Sequence, residues 1–479
     1  MARYIEDNRY TQLFVAGSLE TLLPQDSAAR TIRAALDRLN FADFDARYKN
    51  DEVGRPALAP RSLVGVWILA LLRGQGSAVK LAALCGQDIE LRWLLGDAPV
   101  GKSLLSDFRL RHEAQITSLG SQVLVALGRA GLLPGENLGV DGTIVRAASS
   151  RHSVRTRKGL AKQLAHVESL LRERLSEDDE ACGEQDQALQ HHRIKLAQAL
   201  EQMDQMGLSG EKDRLNTTEP SAKLMRQKNG SFAPGYNIQA VPDLDSGVLN
   251  HTQVVDAGGD GGQLAPQMEQ AGAALQRAGV LAQEGGASRL AADGAYHDTR
   301  QLAQLEQQGM ACYVLEDRNT NRQTPNASPE YQSDAFTYDA PTNTVQCPQG
   351  QTLAYRKNNS TNISAVYQAK ASCCAACPAK EHCCPKTKEG RSISRSLYAQ
   401  VLQTVQQRVA SEQGHAMRRA RWITCEGVMA RVKGLLHWDR CRMWGLEGAK
   451  TELAWRHLTY NLMLLAGAWK PMVGRPNLA

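Results

Sequence analysis

LGVDGTIVRAAS, residues 138–149, alternates apolar with small or polar residues and is bounded by glycine, the pattern of a β-strand. Inside it Asp141 stands directly before Gly142 in otherwise apolar surroundings, where a carboxylate is costly unless it is paired or holds a metal. RLAADGAYHD, residues 289–298, repeats the arrangement and puts Asp293 and Gly294 at the carboxyl end of a second short strand. Ligands of α/β sheets sit at such strand ends. Turn capping accounts for either aspartate alone; two of them in neighbouring strands point to a shared site.

Working outward, strand patterns recur in FAPGYNIQAVPD (232–243) and GVLNHTQVVD (247–256), which share a DSG turn. A helix is expected at about 263–278, a strand at 289–294, a helix at 298–308 and a strand at 311–316. Residues 159–206 read as two long polar helices around the acidic turn SEDDEACGEQD, a hairpin inserted in the domain. Without that hairpin the order is three strands, helix, strand, helix, strand, an α/β fold with an antiparallel start.

The flanks differ in character. From Ser27 to Leu133 the spacing is helical throughout, either a small bundle with a solvated basic edge or a helix-turn-helix DNA reader. Its basic residues include Arg109 and Arg111. Residues 321–396 are rich in Asn, Thr, Ser, Pro and Cys, and helices resume from 397. Four segments result: 1–133, N-terminal helical and DNA-binding; 134–320, the first part of an α/β core; 321–396, a Cys-rich insertion; and 397–479, C-terminal helices completing the core.

Composition excludes several alternatives. At 42% hydrophobic and 22% charged, the chain is neither disordered nor collagen-like. The longest apolar run, Leu63–Leu72, is too short for a bilayer, and MARYIEDNRYTQLF is no signal peptide, so an intracellular protein is expected. Charge is concentrated locally. Lys386 to Lys450 holds thirteen Lys and Arg against five acids, a net +8 that exceeds the +6 of the whole chain. Such a balance suits a polyanionic partner.

That basic segment contains RRARWITCEGVMARVKG (418–434), where Glu426 is the sole acid and Lys433 follows it by seven residues, two helical turns on. Asp141, Asp293 and Glu426 together suit a pair of divalent ions in phosphoryl transfer, with oxygen ligands selecting magnesium or manganese. A separate cluster, Cys347, Cys374, Cys377 and Cys383, has the spacing of a tetrahedral structural zinc site. Zinc is expected there because the surrounding segment reads as loop-rich and without a core of its own.

The motifs in sequence resemble those of DDE transposases of bacterial insertion sequences. GRPALAPRSLVGVWILALLRG, IELRWLLG and SDFRLRHE resemble the N-terminal domain of one branch of that family. VDGTIVRA and AADGAYHD resemble its two Asp motifs, and APGYNIQAVPD resembles its second-strand segment. CPQG and CAAC resemble its Cys-rich insertion; RWITCEGVMARVKG with TELAWRHLTYNLMLL resembles its closing Glu motif and helix. The resemblance implies an RNase H-like, retroviral-integrase-like core that uses two magnesium ions to cleave a strand at each element end. It then transfers the 3′-hydroxyl into target DNA. It further implies Asp141, Asp293 and Glu426 as the triad, and double-stranded DNA, both element ends and target, as partner. A homodimer or larger assembly on DNA and a cytoplasmic, nucleoid-associated location in a bacterium follow. Arg109, Arg111, Arg146, Arg421, Lys433, Arg440 and Arg442 are the expected DNA contacts. A nuclease of the same fold without strand transfer, and an inactive DNA-binding derivative, are the competing readings.

Overall fold

Backbone hydrogen bonding gathers the expected strands into an antiparallel sheet and a parallel sheet that meet at Val140. In this computed structural model, β1 (Asn137–Gly139) and β2 (Asp141–Arg146) are separated only by Val140. β3 (Phe232–Pro242) pairs antiparallel with β2, and β4 (Leu249–Val255) antiparallel with β3. β5 (Arg289–Ala292) runs parallel to β1, and β6 (Ala311–Val314) parallel to β5. The antiparallel sheet has the order β4-β3-β2, with strand Lys223–Arg226 also paired to β3, and the parallel sheet has the order β6-β5-β1. The structure describes the chain apart from residues 1–3, 6–7, 14–16, 47, 49–55, 176–182, 228, 281–287, 316–326, 361–362 and 471–479. Most of the expected acidic turn at 176–186 lies outside the described residues.

This register positions the two aspartates. Ala291 is paired with Gly139, and the Val140 N–H donates to the Ala291 carbonyl at 3.0 Å. Asp141 and Asp293 each follow that contact closely, so the parallel pairing brings them side by side at one end of the parallel sheet.

Helices cover the sheets and extend their core. The N-terminal region supplies α1 (Pro60–Leu72), α2 (Lys102–Arg111) and α3 (Glu113–Arg129). α4 (Arg157–Leu175) and α5 (Gly183–Gln205) pack on each other around Leu160, Val167, Leu196 and Met203. α6 (Leu264–Arg277) and α7 (Thr299–Gln307) are the crossovers into β5 and β6. α8 (Ala399–Ala410), α9 (Glu412–Ala430) and α10 (Gly445–Leu465) close the fold. α1 and α10 are buried around most of their circumference, as their apolar sequences require, and α10 lies along α3 and β4. One apolar core thus runs from Leu19 through the sheets to Leu464. The N-terminal helices share this core, with Trp67 and Trp455 buried within it and their rings 6.3 Å apart.

The Cys-rich stretch departs from expectation. Strands Thr337–Asp339, Thr344–Gln346, Thr352–Asn359, Ser364–Gln368 and Ser392–Ser396 form an antiparallel meander in sequence order. It has its own apolar core of Val345, Leu353, Tyr367 and Ile393. The segment read as coreless has one, and the structural argument for a zinc staple there falls away.

Candidate active site

Asp141 opens β2 at the meeting point of β1, β3 and α9. Its side chain is 13% exposed, and its Oδ1 accepts from the Gly142 N–H at 2.9 Å and from Arg421 at 3.2 Å. Asp293 caps the short turn Gly294–Tyr296, its Oδ1 accepting from the Ala295 N–H at 2.9 Å. Its other oxygen lies 3.5 Å from the same Arg421. One guanidinium, itself 14% exposed, thus bridges two carboxylates from different strands. Among the described residues its buried Nε has no hydrogen-bond partner.

α9 delivers Arg421 because Gly139 lets the helix approach the sheet. A Cβ at residue 139 would sit 2.7 Å from the Cys425 sulfur and 2.7 Å from Leu244. Cys425 faces inward and is fully buried, while Glu426, the next residue, is on the exposed side. Lys433 lies in the widened turn Arg431–Leu435, where α9 loosens, and its amine donates to the Ile144 carbonyl at 2.6 Å.

Electrostatics show the strain between like charges. Burial, more than any other cause, pushes the Asp141 carboxyl up to about 6; Arg421 pulls it down, and Asp293 and Glu426 push it further up. Burial works against the Arg421 charge, but Asp141 and Asp293 more than offset it, and its proton affinity ends above the ordinary value. The Cys425 thiol is held protonated by burial, with Asp141 adding to the effect.

The expected DNA contacts separate into groups. Arg146 and Lys433 line a polar cleft of about 660 Å³ that runs from Gly142 along β2, and Arg146 also pairs with Asp439. Arg111 is 72% exposed and pairs with Asp107 on the N-terminal surface. Arg109 instead stacks over Trp67 at 4.4 Å and donates to the Gly76 carbonyl, while Arg442 donates to the Gly74 carbonyl. Arg440 donates to the carbonyls of Ala147, Ala148 and Ser149. Each of these last three arginines has at least one donor on a carbonyl of a neighbouring segment.

Other acids are accounted for structurally. Glu452 is 1% exposed, pairs with Arg456 at 3.2 Å and accepts from the N–H groups of Arg442 and Met443. Glu447 pairs with Lys450 on the surface.

Cys347, Cys374, Cys377 and Cys383, with Cys373 and Cys384, line a small cavity at the end of the meander. All are free thiols; Cys347 and Cys374 accept from the N–H groups of Gln351 and Arg391. Burial, then the neighbouring Cys383 and Cys374, raises Cys384 to about 11. Among the described residues no group of three or more His, Cys, Asp or Glu side chains is arranged to hold a metal ion. Zinc at these thiols is therefore unsupported, and by the same observation Glu426 does not complete a three-acid group with Asp141 and Asp293.

A polar network beside the acids was not read from the sequence. Gln239 and Asn237, on one face of β3, and Asp260, beyond β4, are hydrogen-bonded together, and the Tyr296 hydroxyl donates to Gln239 Oε1. The legible signal was a pair of amides two residues apart in an otherwise apolar strand.

Two family models match the chain, a Transposase DDE domain over residues 346–466 and a Transposase domain (DUF772) over residues 17–111. Over these two stretches the chain is similar to transposases, consistent with a DDE-type insertion-sequence transposase. This family suggests an RNase H-like core, in keeping with the mixed α/β structure, and typically uses divalent metals. The DDE match takes in Glu426, Arg421 and Lys433; Asp141 and Asp293 lie between the two matched spans. Searches of curated proteins and of solved structures found no match. Among the described residues, no helix of the transposase is long and apolar enough to cross a membrane.

Proposed function

We propose that this transposase cleaves DNA strands at the ends of its element and joins each freed 3′-hydroxyl to target DNA. Asp141, Asp293 and Glu426 are its acids in this reading. The observation that carries the proposal is the convergence of Asp141 and Asp293, far apart in sequence, on one enclosed guanidinium.

Two adjacent carboxylates sharing one guanidinium fit a divalent ion, because a single positive charge answers only one of their two negative charges. Asp141 and Asp293 would hold the ion, with Glu426 supplied from the exposed side of α9; bound there, it polarises the phosphodiester and the attacking oxygen. Arg421 keeps the carboxylates together and limits their repulsion. Lys433 and Arg146, in the cleft beside Gly142, present positive charge to the sugar-phosphate backbone. Joining two ends requires at least two active sites, hence a dimer or larger assembly on double-stranded DNA.

The test is gel-shift and nicking on duplexes carrying the DNA that flanks the gene. Asp293→Ala is expected to abolish nicking while end binding stays within about threefold, since backbone contacts and the acid pair are separate. Parallel loss of binding in a folded variant would contradict that division.

A further inference from the structure

The loop after β4 places a fourth carboxylate beside the proposed acids. Asp260 Oδ1 accepts from Gln239 Nε2 at 2.7 Å and from Asn237 Nδ2 at 3.3 Å. Gln239 is 0% exposed, and Asn237 is also buried. The Gln239 amide is fully oriented by its neighbours, because its nitrogen serves Asp260 and Asn237 while its oxygen takes the Tyr296 hydroxyl. Tyr296, itself 0% exposed, closes the very turn that Asp293 caps.

Register puts this chain of bonds directly beneath the site. Gln239 is the cross-strand partner of Gly142, and Ala240 that of Asp141. A Cβ at residue 142 would stand 2.4 Å from Asp260 Oδ1 and 2.7 Å from the Gln239 amide nitrogen. A side chain after Asp141 would thus displace the Asp260 carboxylate or the Gln239 amide. The same carboxylate lines the cleft with Thr143, Arg146 and Lys433.

We propose that Asp260 is a positioning residue: through Gln239 and Tyr296 it fixes the Gly294–Tyr296 turn and so holds Asp293 beside Asp141. This rests on the function proposed above. As an acceptor for two amides, Asp260 orients Gln239. Without it the buried Gln239 nitrogen loses its shortest partner, the Tyr296 hydroxyl loses a fixed acceptor, and the turn bearing Asp293 is free to shift. Removing an outer residue that orients a ligating carboxylate typically costs about 10- to 100-fold in activity.

The experiment compares full-length wild type, Asp260→Ala and Asp260→Asn in single-turnover nicking, with hydrogen exchange of residues 293–297 measured on the same proteins without DNA. Asp260→Ala is expected to lower the maximal rate about 10- to 100-fold with the DNA concentration for half-maximal rate unchanged, and to speed exchange in the turn. Asp260→Asn, whose amide oxygen still accepts from Gln239 and Asn237, is expected to restore most of both. Unchanged exchange in Asp260→Ala would overturn the link, as would an Asn variant as impaired as the Ala variant, which would mean that the charge itself acts. If wild type leaves DNA intact while exchange responds as expected, the positioning link stands and the proposed function falls.

Discussion

Six cysteines crowd into residues 347–384, whereas the three proposed acids are scattered from Asp141 to Glu426. It is two of the scattered residues that come together. Asp141 and Asp293 are neighbours because β1 and β5 pair in parallel, and α9 adds Arg421 between them. The cysteines, close in sequence, line the end of a small sheet whose apolar residues suffice for a core, and the sulfurs of Cys347 and Cys374 accept backbone N–H groups. Closeness along the chain did not make a metal group; strand register made a charged one.

The comparison is broken most severely by neutralising one acid. Asp141→Asn should lower strand cleavage by about 10²- to 10³-fold, in the range seen when a principal electrostatic group of an active site is removed. Single-turnover nicking checks this; Cys377→Ser in the same assay should stay within about twofold, as expected for a change away from the chemistry.

Arg421→Met comes next. It leaves Asp141 and Asp293 facing each other without a counter-charge, at a cost of roughly 2–3 kcal/mol, below the ~3–5 kcal/mol of a fully buried pair because Asp293 is 44% exposed. Denaturant melts in EDTA should show the loss, and magnesium should recover part of it. Recovery absent at saturating magnesium would separate the acid pair from metal binding.

A third region refuses charge altogether and sharpens the contrast. Burial holds His251 and His457 down at about 4 from 6.5, beside the edge strand β4. Arg277, Lys450 and Glu113 line the same cavity. The unfolded chain takes up these protons as pH falls through 6.5, while the folded chain does so only near 4. Their contribution to stability is therefore complete above 6.5 and is lost as pH drops towards 4. His457→Gln should flatten that slope in thermal melts across the interval.

The smallest effect is expected at the thiols. A zinc chelator should leave the melting profile unchanged, since the meander has its own apolar core. One equivalent of tightly bound zinc per chain, with melting lowered on its removal, would reverse that conclusion.

Much of the core was legible because strand period and Asp-Gly turns are local. The order of three strands, helix, strand, helix, strand emerged in the structure near the expected positions, and the parallel β5–β6 pairing follows from the short α7 crossover. The Asp260 network was hidden because it depends on which residue of β3 faces Gly142, a matter of cross-strand register. The carbonyl bonds of the arginines were hidden for a related reason. Whether Arg109 or Arg442 meets water or a carbonyl of the next segment depends on tertiary packing, to which charge counting is blind. In the meander, polar residues and cysteines masked an alternation in which Val345, Leu353 and Tyr367 supply the core.

The most direct test of the central claim is a strand-joining assay on labelled DNA carrying the element's own ends, with magnesium or EDTA, for wild type, Asp141→Asn and Glu426→Gln. The account predicts magnesium-dependent joining by wild type, lost in both variants while each still binds the ends. Joining that survives Asp141→Asn would contradict it.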